Sequence, residues 1–285
     1  MNWQELYIET KNKFQAAGSD PAEFDAKQIV FEASGIESKD WLSEQSNPAT
    51  QKGVSKVDQM VERRLAGEPL QYVLGSWGFR HLDLFIDQRV LIPRPETEEV
   101  AGWAIEILNS PEVAGTKKLI ADLGTGSGAI GLSIAKEVKN AEVYLCDIST
   151  DALAVAKANL AGIGMAGANT HISSGSWFEA LDVSLKNKFD LIISNPPYIA
   201  PDEKLDPSVK DWEPKLALVS EPAGVEFLEH LVKEAVHWLR PGGYLVLEMA
   251  PWQTDSIASL ASQFYSKVEV KQDISGNNRC VIAKV

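Results

Sequence analysis

From about residue 93 onward, short apolar stretches alternate with segments of helical period, and this alternation constrains the fold more than any other feature. KLIADLG reads as a strand and AIGLSIAKEV as the helix behind it; AEVYLCD and DALAVAKANLAG repeat the pair. FDLIISN ends a strand at NPPY, and GGYLVLEMA makes another after the helix EFLEHLVKEAVHWL. VEVKQDI and RCVIAKV, around Gly276-Asn277-Asn278, read as an antiparallel hairpin. Strands and helices alternating at these lengths predict a parallel, doubly wound α/β sheet.

The first 70 residues have a different period. Trp3, Leu6, Tyr7 and Phe14 mark one amphipathic helix. Asp20, Pro21 and Glu23 mark the start of a second, with Asp20 as the cap acceptor, and Gly35 is its stop. Val54, Val57, Val61 and Leu65 share one face of a third, which ends near Gly67 and Pro69. Over 71–92, Gly75 and Gly78 separate β-prone stretches, and Leu82, Leu84 and Ile86 alternate, which predicts a hairpin or extended linker. His81 within it is expected at the surface or in packing. The expected organisation is therefore a helical domain over 1–70, a hairpin linker over 71–92 and an α/β domain over 93–285.

Composition narrows the partners. The 285 residues include 27 Lys+Arg and 40 Asp+Glu, a formal charge of −13. Nucleic-acid binding draws its affinity from basic side chains meeting phosphates, and no basic block is present, so stable nucleic-acid binding is not expected. Cys146 and Cys280 make neither a metal spacing nor a disulfide framework, so no metal is expected and both are read as buried apolar residues in strands. MNWQELYIET is neither an apolar signal sequence nor an Arg-rich transit peptide, and no apolar run nears the roughly 18–20 residues that span a bilayer. The expectation is a soluble, cytoplasmic protein with no membrane partner.

Three motifs carry chemistry. DLGTGSGAIG, Asp122 to Gly131, follows a strand and opens a helix, the context of a nucleotide-binding glycine loop. Gly124, Gly126 and Gly128 permit a tight turn and close ligand approach. Alone, the loop fits a nicotinamide cofactor as well as S-adenosylmethionine. Asp147 ends the second strand, where an acidic residue reaches ribose hydroxyls; the alternative is a cap on the next helix beside Ser149 and Thr150. Asn195, Pro196, Pro197 and Tyr198 stand at the carboxyl end of a strand, where such sheets bind ligands. Two prolines stiffen the segment. It can present the Asn195 side-chain oxygen and the Pro196 carbonyl as fixed acceptors beside the flat face of Tyr198, a set suited to a planar, conjugated –NH2. No His or Glu stands near NPPY in the sequence to serve as a general base.

The combination resembles class I S-adenosylmethionine-dependent methyltransferases that modify planar amino or amide nitrogens. More closely, it is similar to the release factor glutamine N5-methyltransferase family. GEPLQYVLG (67–75), VLIPRPETE (90–98), SWFEAL (176–181) and DWEPKLAL (211–218) carry that similarity beside NPPY, and IPRPETE together with NPPY is its most specific part. The resemblance implies a seven-stranded, mostly parallel methyltransferase sheet with a small N-terminal helical domain. It implies S-adenosylmethionine as cofactor and class 1 peptide chain release factors as protein substrates. Gly124, Thr125, Gly126, Ser127 and Gly128 would line the methionine portion, Asp147 the ribose, and Trp177 the cofactor's aromatic neighbour. Asn195 to Tyr198 would hold the target glutamine, Asn195 also bordering the cofactor. Ser176 departs from the family, which commonly has an acidic residue before this Trp. Pro93, Arg94, Pro95, Glu96 and Thr97 are expected to shape the pocket.

Other functions share parts of this pattern. A nucleic-acid adenine or guanine methyltransferase would use NPPY on a flipped base. A sister family that methylates a ribosomal-protein glutamine typically lacks the PETE portion. A dehydrogenase explains the glycine loop but leaves NPPY unused. The target that the resemblance implies, the glutamine of a Gly-Gly-Gln loop, offers few contacts, so specificity is expected to need a second docking surface. Residues 1–70, with 8 basic and 12 acidic side chains, are the candidate.

Overall fold

The computed structural model describes residues 1–113 and 117–285, and the chain forms two compact units. Residues 1–76 together with 206–212 make the first; 77–205 together with 213–285 make the second.

The first unit is helical. Its elements are α1 (Trp3–Ala16), α2 (Ala22–Ser34), α3 (Trp41–Glu44), α4 (Gln51–Leu65) and α5 (Leu70–Leu74). Asn2 starts α1 with a capping box: its side chain accepts from Glu5 N, and the Glu5 carboxylate accepts from Asn2 N. Leu6, Phe14, Ile29, Val30, Val57 and Val61 meet in one apolar core. Trp3 lies so close to α4 that a Cβ on Gly53 would sit 2.3 Å from its ring, which is why glycine occupies that turn. The buried Asp25 carboxylate is paired with Arg64 at 2.7 Å, tying α2 to α4.

Three expectations for this region need correction. Asp20 does not cap α2: Pro21 is the N-cap residue, and it makes no side-chain capping bond. Leu65 is exposed, because Met60 and Val61 take the core-facing positions instead. Residues 70–74 are a helical turn, not an extended linker; Gly75 ends it in the left-handed conformation. The hairpin begins after it, as β1 (Ser76–Phe79) and β2 (Leu82–Phe85), with Leu82 and Leu84 buried on one face.

The second unit is the α/β body, in chain order α6 (Pro95–Asn109), β3 (Lys118–Leu123), α7 (Ala129–Glu137), β4 (Ala141–Asp147), α8 (Thr150–Gly162), β5 (Thr170–Ser174), β6 (Phe189–Ser194), α10 (Glu226–Ala235), β7 (Leu239–Glu248), α11 (Thr254–Ala261), β8 (Lys267–Gln272) and β9 (Asn278–Lys284). The short α9 (Pro207–Lys210) belongs to the segment that clusters with the helical unit. The seven-stranded sheet has the order β5-β4-β3-β6-β7-β9-β8, parallel up to β7 and antiparallel at β9 and β8. Helices α6, α7 and α8 pack along β3 to β7, while α10 and α11 pack on β7, β8 and β9. Ala121 and Leu123 of β3 join Leu228, Leu231 and Val232 of α10 in one core cluster. Cys146 and Cys280 are both buried in strands. β5 and α6 escaped the sequence pattern: THISS has almost no apolar alternation, and α6 starts inside the proline-rich IPRPETE segment. The chain runs outward from β3 to β5 and returns to β6 beside β3. The crevice at the carboxyl ends of β3 and β6 is therefore the switch point where a sheet of this kind receives a ligand.

Candidate active site

The glycine loop joins β3 to α7 and is held from beneath by a carboxylate. Asp122 is fully buried; its Oδ2 accepts from Thr125 Oγ1 at 2.6 Å and from Gly131 N at 2.9 Å. Its Oδ1 has no hydrogen-bond partner among the described residues, and burial pushes the pKa of the acid up to about 6. Gly126, at φ +56°, donates its N–H to Asp147 Oδ2 at 2.9 Å. Asp147 Oδ1 accepts from Ser149 N at 2.9 Å, and desolvation raises its pKa above the ordinary carboxylate value. Ser149, not Asp147, caps α8, accepting from Ala152 N. Asp147 thus braces the loop from a position that lines the crevice.

On the other side of the crevice, NPPY leaves β6. Ser194 Oγ donates to Leu123 O at 2.6 Å, locking the ends of β6 and β3 together. The Asn195 carboxamide donates through Nδ2 to Thr97 Oγ1 at 3.2 Å, a residue in the first turn of α6. Gln253 is fully buried, and its Nε2 donates to both Tyr198 O and Gly224 O at 2.9 Å. Gly224 is forced to be glycine: at φ +85°, a Cβ would lie 2.7 Å from Tyr198 O. The Glu213 carboxylate joins IPRPETE to the loop after NPPY, accepting from Ile92 N at 3.1 Å and pairing with Arg94.

Between these two walls lies a cavity of about 190 Å³, against the roughly 10–15 Å³ that one buried water needs, so it is ligand-sized. Gly124, Gly126, Asp147, Ser176, Trp177, Asn195 and Pro197 line it. Thr125, Ser127 and Gly128 turn instead to the loop's support. Thr125 bonds Asp122, the Ser127 carbonyl accepts from Asn159, and a Cβ on Gly128 would sit 2.9 Å from Leu132. Pro196 is buried, and Tyr198 is half-buried beside the cavity rather than in its lining. Trp177 tilts against Phe227 with ring centroids 5.2 Å apart, and Ile148 adds an exposed apolar side chain just after Asp147. Among the described residues, no group of three or more His, Cys, Asp or Glu side chains is placed to hold a metal ion. No helix among them is long and apolar enough to cross a membrane.

Residues 105–210 match the model of the methyltransferase small domain, and residues 5–75 that of the PrmC N-terminal domain. The release factor glutamine methyltransferase of Lactococcus lactis is 34% identical, over 98% of this chain and 100% of its own. That of Agrobacterium fabrum is 33% identical over 95% of this chain and 93% of its own. The chain belongs to the release factor glutamine methyltransferase family. It is a methyltransferase. Similarity to solved structures shows the same fold at greater distance. The hMettl16 catalytic domain, solved with an RNA hairpin, matches at 13% identity and TM-score 0.56, covering 90% of this chain and 91% of that one. A 16S rRNA methyltransferase of T. thermophilus, solved with AdoMet and guanosine, matches at 19% identity and TM-score 0.52, covering 73% and 49%.

Against the family motifs, two residues of this site went unread in the sequence. Gln253 has no signal beyond its place shortly after a strand. Glu248 has one: it is the single charged residue in the apolar run YLVLEMA, and a carboxylate inside a buried strand needs a reason. It also corrects the expectation that no Glu stands near NPPY. The parallel register Ser194↔Leu247 sets Glu248 beside the start of that motif, 53 positions away in sequence but adjacent across the sheet.

Proposed function

We propose that this chain transfers a methyl group from S-adenosylmethionine to the side-chain amide nitrogen, N5, of the glutamine in the Gly-Gly-Gln loop of class 1 peptide chain release factors. The observation that carries this reading is the Asn195 carboxamide. Its Nδ2 is engaged by Thr97, which leaves Oδ1 as the acceptor at the cavity that Asn195 lines. With the Pro196 carbonyl it makes two acceptors for the two hydrogens of a planar amide, and Tyr198 offers the adjoining flat face.

The other wall fits the cofactor. Apart from its chain neighbours, a Cβ on Gly126 would meet no atom of the described residues within 4 Å, so bare backbone faces open space there, suited to the methionine portion. Asp147 spends one lone pair of each oxygen on a backbone N–H and keeps others for ribose hydroxyls. Ile148, Trp177 and Phe227 supply apolar surface for the base. When bound, S-adenosylmethionine supplies an electrophilic methyl group on a sulfonium.

What the chain contributes is geometry. An amide nitrogen is a weak nucleophile because its lone pair is delocalised into the carbonyl. Accepting its N–H hydrogens at Asn195 and Pro196 raises electron density on nitrogen and fixes its direction. Holding the two reactants in line contributes about 7–11 kcal/mol in well-oriented systems, which is where most of the acceleration comes from in this reading. The helical unit supplies the second contact with the protein substrate; its segment 1–70, net −4 from 8 basic and 12 acidic residues, suits a protein face better than a phosphate backbone.

The test is incubation with labelled S-adenosylmethionine and purified class 1 release factor, followed by mapping of the labelled residue, with duplex DNA and ribosomal RNA as parallel acceptors. Label on the loop glutamine is expected. Label on nucleic acid alone, or on another protein residue, overturns the reading.

A further inference from the structure

Glu248 is the last residue of β7, 1% exposed, and lies opposite Cys280 of β9. Its Oε2 has no hydrogen-bond partner among the described residues, a costly state for a buried carboxyl. The hydroxyls of Thr97 and Tyr198 stand close enough to favour its charged form. Glu96 and Arg279 act on it by charge, with opposite signs, and Arg279 is shared with Asp273 at 3.2 Å.

A hydroxyl carries one hydrogen. The Thr97 oxygen accepts from Asn195 Nδ2, so its own hydrogen is available to a second acceptor, and the register that sets Glu248 beside Asn195 makes that carboxylate the candidate. The row of bonds then has a single polarity, from the Asn195 amide through the Thr97 hydroxyl to the carboxylate. Reversing the Asn195 carboxamide would aim its oxygen at Thr97 and its NH2 at the incoming substrate, donor against donor. We propose that Glu248 is a positioning residue which, through the hydroxyl of Thr97, holds the Asn195 carboxamide with its oxygen toward the target amide, and which steadies Tyr198 through its hydroxyl. This rests on the reading that NPPY holds the target amide.

Burial pushes the Glu248 carboxyl up to about 7. Burial also raises the phenol of Tyr198 and the thiol of Cys280, so both stay protonated through that range, and Tyr198 remains a donor. A protonated Glu248 can itself donate to the Thr97 oxygen and compete with Asn195. The orientation should therefore weaken as the carboxyl takes up a proton.

The experiment uses the full chain, S-adenosylmethionine and purified release factor, with Asn195→Ala as the reference variant. Thr97→Val removes the hydroxyl without changing shape; kcat should fall about 10- to 100-fold, as for a misplaced reactive group, while cofactor Kd stays within twofold. Thr97→Ser should restore most of it. Glu248→Gln keeps an acceptor for Thr97 but cannot be protonated in this range. Its kcat should lose the inflection near pH 7 that the unsubstituted enzyme shows. If Asn195→Ala abolishes transfer yet Thr97→Val keeps full kcat and Glu248→Gln keeps the inflection, the positioning role is wrong. If Asn195→Ala itself transfers at the unsubstituted rate, the NPPY reading fails instead.

Discussion

Replacing Asp147 tests the cofactor wall most directly. In the folded chain its two oxygens accept from Gly126 N and Ser149 N, each at 2.9 Å, so the side chain both braces the loop and faces the cavity. Asp147→Ala removes the acceptor proposed for the ribose and frees the Gly126 N–H. A hydrogen bond to a charged group contributes about 1.5–3 kcal/mol. One lost ribose contact therefore weakens S-adenosylmethionine binding about 10- to 150-fold, and a second would compound it. Asp147→Asn separates the two jobs. Its oxygen can serve only one of the two N–H donors, leaving its NH2 against the other, so affinity should fall nearly as far although shape is kept. Titration calorimetry with S-adenosylmethionine measures the affinity, and a thermal melt without ligand shows whether the fold survives. If a folded Asp147→Ala protein binds within twofold of the unsubstituted chain, the ribose assignment is refuted.

Further expectations follow from single contacts. Gly126→Ala puts a methyl group where, chain neighbours aside, no atom of the described residues lies within 4 Å, at φ +56°; stability should drop by about 1–2 kcal/mol in denaturant melts, and cofactor affinity should fall by more than that. Gly224→Ala drives a Cβ to 2.7 Å from Tyr198 O, so turnover should fall while cofactor affinity, measured by calorimetry, holds. The Asp122 carboxyl rises from 3.8 to about 6 on burial, so its contribution to stability is full below 3.8 and lost as pH rises through 6, about 3 kcal/mol in all. Asp122→Asn, whose oxygen can keep the Thr125 and Gly131 bonds, should lack that loss, and its advantage over the unsubstituted chain in urea melts should grow from pH 4 to pH 7. The docking role of the helical unit predicts a kcat/KM on intact release factor at least about tenfold above that on a short peptide bearing the loop; equal values remove that role.

Much of this was legible in the residues themselves because it is local. The alternation of KLIADLG, AIGLSIAKEV and AEVYLCD encodes β3, α7 and β4 through periodicity within a few residues, and the glycine loop and NPPY stand at strand ends because a strand runs directly into each. Where the local signal is weak, the element is not legible: THISS has too few apolar residues to announce β5, and the prolines of IPRPETE mask the start of α6, although proline is tolerated at the first turn. Asp20 looked like a cap by type, but the backbone turns one residue later, at Pro21.

The support of the site was decided only by the tertiary structure. Thr97 in α6, Asn195 just past β6 and Glu248 at the end of β7 are spread over some 150 positions, and they converge because parallel pairing brings the carboxyl ends of β6 and β7 to one edge, where α6 begins. Gln253 reaches Tyr198 and Gly224, and Glu213 reaches Ile92 and Arg94, by the same kind of long closure. A sequence shows which groups can donate or accept. Which of them share a hydrogen bond, and which carboxyl is taken out of water, depends on the order of strands in the sheet, and no local pattern of residues encodes that order.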